Sequence, residues 1–442
     1  MRSALAIACL VFATTAFAQN TDIEALSGLQ FNFGNPGARS LGMGGAFIGL
    51  ADDASAAEAN PAGLMTLRRT EVSVETRQAT ISQRFVTGGT FPFITDLDVP
   101  SRKTSVTFAS VVVPLRTAVI AGYYHRPLSF SNSVNLTGRF ATPVFYLGPN
   151  GPVDAPACGA GCTEHRIYPF DTSVDLQMET FGLMAAGTWG HLSCGGGVRY
   201  HRFSENAETF RRDLDAPGQP LFVVAQQNAG RVFGATSDRD LTFVAGLRWA
   251  PVSTFSVGAV VKKGPTFPVA VQAAATTDAP LELIASTNFH VPSILGLGVS
   301  YRPAPQLTVN ADVVRVGYGK LTDRFVSVLE YGTAGEGVVE GATGYSTADG
   351  TEFHAGVEYF ILSRAPIGIR AGWWRDPAHS VAYHGPLLTS HAVAAQILFP
   401  GTRAENHYSV GLGVAFPRFG LDVAYDTSRS LRTASLSFIA RR

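Results

Sequence analysis

The chain has 442 residues and a formal net charge of zero, because 34 Lys and Arg residues balance 34 Asp and Glu residues. Charged residues make up only 15% of the chain, whereas about 25% is typical of soluble domains. The balanced charge argues against a nucleic-acid partner, and the low charge content favours a membrane protein. Beyond the amino terminus there is no run of about 18 or more apolar residues, so no helical membrane span is predicted.

The first 18 residues have the organisation of a secretory signal peptide. Arg2 supplies the charged start, residues 5–14 form a short apolar stretch, and Ala16-Phe17-Ala18 is a small-x-small cleavage site. The apolar stretch is too short to cross a bilayer as an anchoring helix. The sequence therefore predicts export, with a mature chain that begins at Gln19.

The stretch GARSLGMGGAFIGLADDASAAEANPAGL, at residues 37–64, is rich in glycine and alanine. Such small residues allow a backbone to lie close against another surface. Asp52 or Asp53 can cap a short helix that is predicted for residues 54–59. Asn60-Pro61 then ends this helix, because the residue before a proline is driven out of helical geometry. The mature segment before residue 70 is too short to fold easily as an independent domain.

From residue 70 onward, apolar and polar residues alternate with a period of two. In HYSVGLGVAF, for example, Tyr408, Val410 and Leu412 share one face, while Ser409 and Gly411 share the other. The stretches LTFVAGLRW, LGLGVSYR, LTVNADV, IGIRAGW and FGLDVAYD behave in the same way, almost without exception. This alternation predicts strands that have one face in an apolar medium.

Short and long connections alternate between the predicted strands. Short links lie at residues 114–116, 189–191, 251–253, 303–306, 363–366 and 417–418, and long links at about 131–172, 205–238, 264–289, 319–351 and 377–406. An outer-membrane barrel has short periplasmic turns and long outer loops. The alternative, an exported array of β-sandwiches, has no reason to collect its long loops at one end. The sequence therefore predicts an all-β fold, a transmembrane antiparallel β-barrel.

The barrel is predicted to have about fourteen strands, an even number. Their starts are predicted near Thr70, Lys103, Thr117, Ser173, His191, Arg239, Thr254, His290, Gln306, Glu352, Pro366, His407, Arg418 and Leu431. A barrel of this size has a wide lumen, so the segment before residue 70 is expected to fill it as a plug. The predicted organisation is a signal peptide at residues 1–18, a plug at 19–69 and a barrel at 70–442.

Both ends of the chain resemble the FadL-type family of outer-membrane transporters for long-chain fatty acids and aromatic hydrocarbons. ADDA at residues 51–54, followed by NPAG at residues 60–63, is similar to the amino-terminal hatch signature of this family. VPSILGLGVSYRPAPQLTVNADV, GVEYFILSRAPIGIRAGWWRDP and HYSVGLGVAFPRFGLDVAY resemble the last strand hairpins of the family. The middle of the chain matches it poorly.

The resemblance implies a fourteen-strand barrel, closed by a hatch, in the outer membrane of a Gram-negative-type bacterium. Hydrophobic small molecules, either long-chain fatty acids or hydrocarbons, would enter from outside, pass when the hatch moves and leave sideways through a gap in the wall. By position, Asp52 and Asp53 match the acidic pair of the hatch, and Asn60, Pro61 and Ala62 match its Asn-Pro-Ala. These five are the candidate gating residues, while ligand-binding residues stay unassigned.

GARSLGMGGAF is also similar to the start of PorV-like barrels, which are associated with protein secretion and surface attachment. The alternative function is therefore a structural or secretion-associated outer-membrane barrel that binds protein partners. The expected surroundings are outer-membrane lipids, with the barrel assembly machinery acting during biogenesis, and the expected state is a monomer. The chain departs from the usual barrel ending, because Phe438 is followed by Ile439-Ala440-Arg441-Arg442.

The remaining patterns predict little further chemistry. No nucleophile or acid–base pair stands out, so no catalytic site, enzyme activity, cofactor or metal site is predicted. The inward-phase residues Arg248, Asp312, Glu358, Arg370 and Asp422 are expected to form salt bridges and hydrogen bonds inside the lumen.

Three further features stay open at the level of sequence. Cys158 and Cys162, in CGAGC, could form a small disulfide in an oxidising compartment or bind a metal, although no second cysteine pair accompanies them. His379, His384 and His391 share a predicted outer loop, but their spacing is weak evidence for a metal site. PLFVVAQQ at residues 220–227 and FPVAVQAAA at 267–275 either line an apolar ligand groove or extend strands.

Overall fold

The computed structural model describes residues 32–442 except 91–92, 137–139, 144, 149–150, 155–162, 168–169, 213–219, 228–238, 275–281, 323–326, 332–336, 341–343, 363, 387–395 and 397–398. The predicted signal peptide, Cys158, Cys162 and His391 lie outside the described residues. Within the described part of the chain, no helix has the length and hydropathy needed to cross a membrane.

A closed barrel of 14 antiparallel strands dominates the structure. In chain order the strands are Glu71–Thr90 (β1), Phe93–Pro114 (β2), Ala118–Leu136 (β3), Phe170–Trp189 (β4), Leu192–Arg212 (β5), Arg239–Val252 (β6), Phe255–Lys262 (β7), Ile294–Ala304 (β8), Leu307–Val316 (β9), Gly350–Ile361 (β10), Ile367–Asp376 (β11), Glu405–Ala415 (β12), Phe419–Thr427 (β13) and Leu431–Arg441 (β14). The barrel closes where β14 pairs with β1, from Arg441 opposite Glu71 to Leu431 opposite Ile81. The predicted fold class and strand number are confirmed.

Shorter elements surround the barrel strands. Before the barrel lie the helices Ala38–Gly42 (α1) and Ala56–Ala59 (α2) and the 3-10 helix Pro61–Thr66, and a second 3-10 helix spans Tyr318–Thr322. The short strands are Phe140–Pro143, Phe145–Gly148, Gly151–Asp154, Thr163–Ile167, Pro220–Gln227, Thr266–Ala274, Glu282–His290, Ser327–Tyr331, Gly337–Glu340, Tyr345–Ser346 and Ala382–Tyr383. All of these short strands belong to connections that the sequence predicted as the long ones.

The period of two separates an outer from an inner face. On β12, the side chains of Tyr408, Val410 and Leu412 are 61%, 60% and 52% exposed, whereas Ser409 between them is 3% exposed. On β6, Leu241, Phe243, Leu247 and Trp249 are likewise exposed on the outside. Large apolar side chains that point away from the protein in this regular way form the surface expected of a barrel in lipid.

Several strands extend further outward than the sequence predicted. β2 begins at Phe93 instead of near Lys103, and β4 begins at Phe170 instead of near Ser173. The extra part of β2, FITDLDVPSR, mixes apolar residues with Asp96, Asp98 and Arg102, and a strand that projects beyond the lipid needs no continuous apolar face. Hydrophobic alternation therefore detects the part of a strand that meets lipid and misses the part that leaves it.

The seventh and eighth strands are each interrupted next to a proline. β7 stops at Lys262 and resumes as Thr266–Ala274, and β8 is preceded by Glu282–His290. The resumed segment pairs with Pro220–Gln227, from Val223 opposite Ala274 to Gln227 opposite Ala270. Of the two interpretations of these apolar segments, strand extension is therefore the one that the structure supports.

The residues before β1, described from residue 32 to residue 69 and here called the hatch segment, contact strands on all sides of the lumen. The Ala38 N–H donates to Ser437 on β14 at 2.8 Å, and the Gly44 N–H donates to Ser409 on β12 at 2.9 Å. Asn60 Nδ2 donates to the Leu247 carbonyl on β6 at 3.1 Å. Contacts to strands this far apart around the barrel place the segment in the lumen.

The hydrophobic core lies between the hatch segment and the inner wall. Phe47, Ile48 and Leu64 of the segment are buried in one cluster with inward residues such as Phe108 and Val112 on β2. On β6 and β7, the wall residues that lie closest to the hatch segment are glycines. A Cβ added at Gly246 would overlap the Asn60 side chain, and one at Gly258 would overlap the Ile48 carbonyl.

Candidate functional site

The acidic pair of the hatch segment divides into two roles. Asp53 accepts hydrogen bonds from the Ser55 N–H at 2.9 Å and the Ser55 hydroxyl at 2.6 Å, directly before α2. Asp52 instead forms an ion pair with Arg39, at 2.5 Å. The helix is shorter than predicted, since it begins at Ala56 and not at residue 54. The N-cap position is Ser55, which has no side-chain cap, so neither aspartate caps the helix as predicted. Asp53 instead orders the residue before the helix, and Asp52 binds Arg39 in α1.

Asn60, Pro61 and Ala62 form one compact unit against the wall. Asn60 is fully buried and ends α2 in an extended conformation. Its amide donates to the Ile48 carbonyl at 3.0 Å and, as noted above, to β6, while its Oδ1 accepts from the Ala62 N–H at 3.2 Å. Pro61 occupies the first position of the following 3-10 helix, where its missing N–H costs nothing. Sequence reasoning predicted the helix stop, and the structure adds the contact with the wall.

A first ionic anchor joins the hatch segment to β10, β11 and β13. Arg39 binds Glu358 through two nitrogens, at 2.6 and 2.8 Å, and lies 3.5 Å from Asp53. Glu358 in turn pairs with Arg370 at 2.7 Å, and Arg370 pairs with Asp422 at 2.7 Å. The predicted lumen salt bridges of Glu358, Arg370 and Asp422 are confirmed. Through Glu358 they hold Arg39 of the hatch segment against the wall.

The other two inward residues named from the sequence bind backbone groups of the hatch segment. Asp312 on β9 accepts from the N–H groups of Phe47 and Ile48, at 2.6 and 2.8 Å. Arg248 on β6 donates to the Gly49 carbonyl at 3.3 Å. Buried backbone groups must be paired, so these two wall side chains satisfy the loop between α1 and α2.

A second ionic anchor, missed by sequence reasoning, centres on Glu58 in α2. Its carboxylate lies 3.1 Å from Arg199 on β5 and 3.3 Å from Lys262 on β7, and it accepts a hydrogen bond from the Tyr123 hydroxyl on β3. Burial alone would raise the pKa of Glu58, but the charges of Arg199 and Lys262 outweigh it and hold this pKa well below its usual range. The sequence did contain an indication of this role, because Glu58 is the sole charged residue of the helix AAEA.

A cavity of about 170 Å³ lies directly above the hatch segment. Gly44, Gly45 and Ile48 form its floor. Its apolar walls include Ile81, Leu128, Phe130, Val260, Val314 and Val316. Its charged lining is divided, with Arg77, Lys103 and Lys262 on one side and Glu352, Asp376 and Asp426 on the other. The cavity can therefore hold an apolar molecule and offers polar groups at its margins.

The barrel wall has a gap beside this cavity, between β2 and β3. The hydrogen-bonded ladder that joins these strands runs from Pro114 opposite Val119 only as far as Phe108 opposite His125. Beyond that level β2 stays paired with β1, and β3 stays paired with β4. Further out, Lys103 lies 3.2 Å from Asp175 on β4, which bridges the outer end of the gap.

The gap begins where β3 bulges. The pairing of β3 with β4 shifts register between His125 and Leu128, so Arg126 and Pro127 together lie opposite the single residue Glu179 and the strand contains one extra residue. Proline has no N–H to give to a ladder, and a bulge bends the strand that carries it. The bulge therefore turns the outer part of β3 away from β2.

The edges of the gap carry four buried polar side-chain atoms. Thr107 Oγ1 on β2 and His125 Nδ1, Arg126 Nε and Ser129 Oγ on β3 are buried and form no hydrogen bond within the described part of the chain. All four residues line the cavity. Unpaired polar groups are costly unless water or a ligand reaches them, so these residues offer hydrogen-bonding groups to a molecule in the cavity.

The remaining residues that the sequence suggested as a site, the loop histidines, do not form a metal site. His379 is buried against Tyr318, with ring centroids 4.1 Å apart, whereas His384 is exposed. These two loop histidines therefore do not share a site. Among the described residues, no group of three or more His, Cys, Asp or Glu side chains is arranged to hold a metal ion.

Comparisons with known proteins agree with this architecture. No family model and no curated protein matches the sequence. Among solved structures, the chain is similar to a Pseudomonas aeruginosa FadL homologue (12% identity, 94% of this chain and 99% of that one, TM-score 0.61). It is also similar to the Ralstonia pickettii toluene transporter TbuX (14%, 93% and 99%, 0.58) and to the CymD monoaromatic hydrocarbon channel (14%, 93% and 99%, 0.56). The chain has the fold of these FadL-type outer-membrane proteins.

Proposed function

We propose that this protein passes hydrophobic small molecules, long-chain fatty acids or hydrocarbons, inward across the outer membrane by diffusion that the hatch controls. An apolar molecule crosses a polar surface layer poorly, and an apolar route spares it the unfavourable contact with water. The proposal places the protein, as a monomer, in the outer membrane of a Gram-negative-type bacterium. It assigns the chain no enzymatic activity.

One observation carries this proposal: a single cavity touches both the hatch segment and the gap in the wall. Gly44 and Ile48 bound it below, and Thr107 and Leu128 bound it at the gap. A molecule in the cavity would thus contact the element that must move and the exit that it would use. The solved relatives, described as a toluene transporter and a monoaromatic hydrocarbon channel, support the same class of ligand.

The size of the cavity favours a small ligand while the hatch is closed. An engineered cavity of about 150 Å³ holds benzene, and the cavity here is about 170 Å³. One aromatic ring fits this space, whereas a long acyl chain needs the hatch segment to move or the gap to admit part of it. We therefore expect toluene to bind the closed state and oleate to bind with displacement of the hatch.

The proposal assigns gating to Asp52, Asp53, Asn60, Pro61 and Ala62, within a hatch at residues 19–69 and a barrel at 70–442, after removal of residues 1–18. Asp52 and Asp53 surround Arg39, the residue that reaches β10. Asn60 holds the Ile48 carbonyl directly below the cavity floor. These contacts join the cavity floor to the wall, so their release would free the floor.

The decisive experiment compares uptake of labelled oleate and of toluene by cells with and without the gene. Lower uptake of either compound in the deleted strain supports transport. Unchanged uptake combined with loss of a surface protein would instead favour the alternative, a PorV-like barrel that binds protein partners.

A second experiment replaces Asn60-Pro61 with Ala-Ala. We expect an intact barrel with altered uptake or conductance, because Asn60 loses its bonds to the Ile48 and Leu247 carbonyls. The double variant Arg116→Ala and Arg418→Ala, in exposed periplasmic turns, is the matched control. Wild-type conductance and uptake in the Asn60-Pro61 variant would remove these residues from gating.

A further inference from the structure

The short turns at one end of the barrel, together with the residues that lead into β1, are basic. These connections are residues 67–70, 115–117, 190–191, 253–254, 305–306, 362–366 and 416–418. They contain five arginines and no aspartate or glutamate. The five arginines are all exposed and are here called the arginine rim: Arg68, Arg69, Arg116, Arg364 and Arg418.

The charge of the arginine rim is not neutralised by a carboxylate in the part of the chain that the structure describes. Arg69 donates to the Pro417 carbonyl at 3.3 Å, which is an uncharged group. Glu71, the acidic residue that begins β1, is buried and paired with Arg441 at 2.8 Å. Among the described residues, no arginine of the rim forms a salt bridge. The rim therefore presents uncompensated positive charge to its surroundings.

The arginine rim occupies one continuous arc of the barrel. Its members lie in the β10–β11 turn, the β12–β13 turn, the approach to β1 and the β2–β3 turn, which follow one another because β14 pairs with β1. The other three connections, at residues 190–191, 253–254 and 305–306, contain no arginine. Positive charge collected on one side of the rim attracts anions to that side.

The rim lies where the apolar outer surface of the barrel ends. Arg418 stands between Phe416 and Phe419, which are exposed and whose rings are 4.4 Å apart. Phe419 in turn lies 6.3 Å from Phe438, on the outer face of β14. Aromatic residues of this kind mark the border between lipid tails and headgroups. The first residues of the three turns that contribute to the rim are all apolar and exposed: Leu115, Leu362 and Phe416.

This position places the guanidinium groups in a layer of lipid headgroups. The long stem of an arginine can lie along apolar surface while its charged end stays in the polar layer. In an outer-membrane barrel the short turns face the periplasm, so the headgroups at this level are those of the inner leaflet. Guanidinium groups bind phosphate oxygens through paired N–H bonds, and uncompensated positive charge favours headgroups of net negative charge.

We propose that the arginine rim binds the phosphates of anionic phospholipids in the inner leaflet, along the arc from β10 to β3. A soluble acidic protein is the other partner that positive charge could attract. The arginines, however, flank side chains that face lipid, so headgroups contact them before a partner in the periplasm can. The proposal goes beyond the transport of small molecules and does not depend on it.

The test measures which lipids stay bound to the folded, full-length protein. Wild-type protein is reconstituted in nanodiscs with equal amounts of phosphatidylglycerol and phosphatidylcholine of the same acyl chains, and retained lipid is counted by native mass spectrometry. The wild type should retain phosphatidylglycerol at least five times better. The triple variant Arg116→Gln, Arg364→Gln and Arg418→Gln should lose most of this preference, because these arginines lie in three of the four connections of the arc.

The matched control is the triple variant Arg403→Gln, Arg429→Gln and Arg432→Gln, which removes three exposed arginines at the opposite end of the barrel. It should keep the wild-type preference. Heat-modifiable migration on gels confirms that each variant forms a barrel. Binding of toluene to the same samples should not differ between wild type and variants, so a failure of the transport proposal would be seen separately.

Four outcomes would overturn the proposal. They are equal retention of the two lipids by the wild type, an unchanged preference in the rim variant, an equal loss of preference in the control variant, and displacement of phosphatidylglycerol by an equal concentration of inorganic phosphate. Equal retention of the lipids combined with binding of an acidic periplasmic protein to the wild type, and not to the rim variant, would assign the rim to a protein partner instead.

Discussion

Gly246 shows how a single missing side chain positions the hatch. It lies on the inner face of β6, and a Cβ there would overlap the Asn60 side chain. We predict that Gly246→Ala displaces Asn60 and weakens docking of the hatch segment by about 1–3 kcal/mol, the usual cost of overpacking. Hydrogen exchange of residues 47–66 should rise accordingly.

The control for this change is Gly122→Ala on β3, where an added Cβ would meet no neighbouring atom. Its exchange should match the wild type, so that any effect at Gly246 is due to the contact with Asn60 and not to the loss of a glycine in a strand. Protection of the hatch in Gly246→Ala that equals the wild type would show that Asn60 can adjust without cost.

The acidic pair illustrates what single residues reveal in a sequence. The sequence predicted that either Asp52 or Asp53 would cap the helix, but the N-cap is Ser55, and Asp53 accepts from this residue and not from the helix. The role of Asp52 depends on Arg39, which is thirteen residues away in sequence and approaches only after the hatch folds. The helix end at Asn60-Pro61 is determined locally and was predicted from sequence, whereas an ion pair between separate elements requires the fold.

At the scale of elements, α2 is held to the wall mainly by one buried charge. Glu58 faces Arg199 and Lys262, so Glu58→Gln would leave two buried cations without their carboxylate. We predict a loss of about 3–5 kcal/mol in docking of the hatch segment, the cost of removing one partner from a buried pair. Protease protection of residues 54–66 is the measurement, and Glu179→Gln, on the outer face, is the control.

The same carboxylate contributes to the way in which docking of the hatch depends on pH. The pKa of Glu58 is lowered in the folded protein, so its contribution is complete above the unfolded value of about 4.5 and is lost as pH falls further toward the folded pKa. Protection should therefore be constant from pH 7 to about 5 and should decrease below about 4.5. In Glu58→Gln the decrease should be smaller, and the part that remains is due to the Glu358 carboxylate of the first ionic anchor. A decrease equal to that of the wild type would show that Glu58 does not contribute.

The strands were predictable because lipid imposes a strict alternation on them. Fourteen apolar faces such as that of β12 could be counted, whereas the close contact of wall glycines with the hatch segment is visible only in the structure. The gap between β2 and β3 could not be predicted in this way, because it depends on which strands pair at each height. The local sign was Pro127 within an otherwise regular strand, and a proline there indicates a bulge or an edge.

At the scale of the whole molecule, a closed barrel needs its neighbouring strands to be paired, whereas the gap interrupts this pairing. A barrel crosses lipid because every backbone N–H and C=O is paired within it, yet the ladder between β2 and β3 ends at Phe108 and His125. Buried polar side chains collect at the same edges, including Thr107 and Ser129. Water or a ligand at the gap must compensate the cost of burying these polar side chains. This agrees with the proposed role of the gap as an exit.

Closing this gap tests the route directly. Ser105 lies on β2, at the edge of the gap, and lines the cavity. Ser105→Trp introduces a large ring there, and we expect at least tenfold slower uptake of toluene while the hatch remains docked, because the ring occupies the exit and leaves the ionic anchors intact. Val111→Trp, on the same strand but facing lipid with 48% exposure, controls for a bulky residue in β2. If Ser105→Trp transports at the wild-type rate, then molecules leave the lumen past the hatch and the gap serves another purpose.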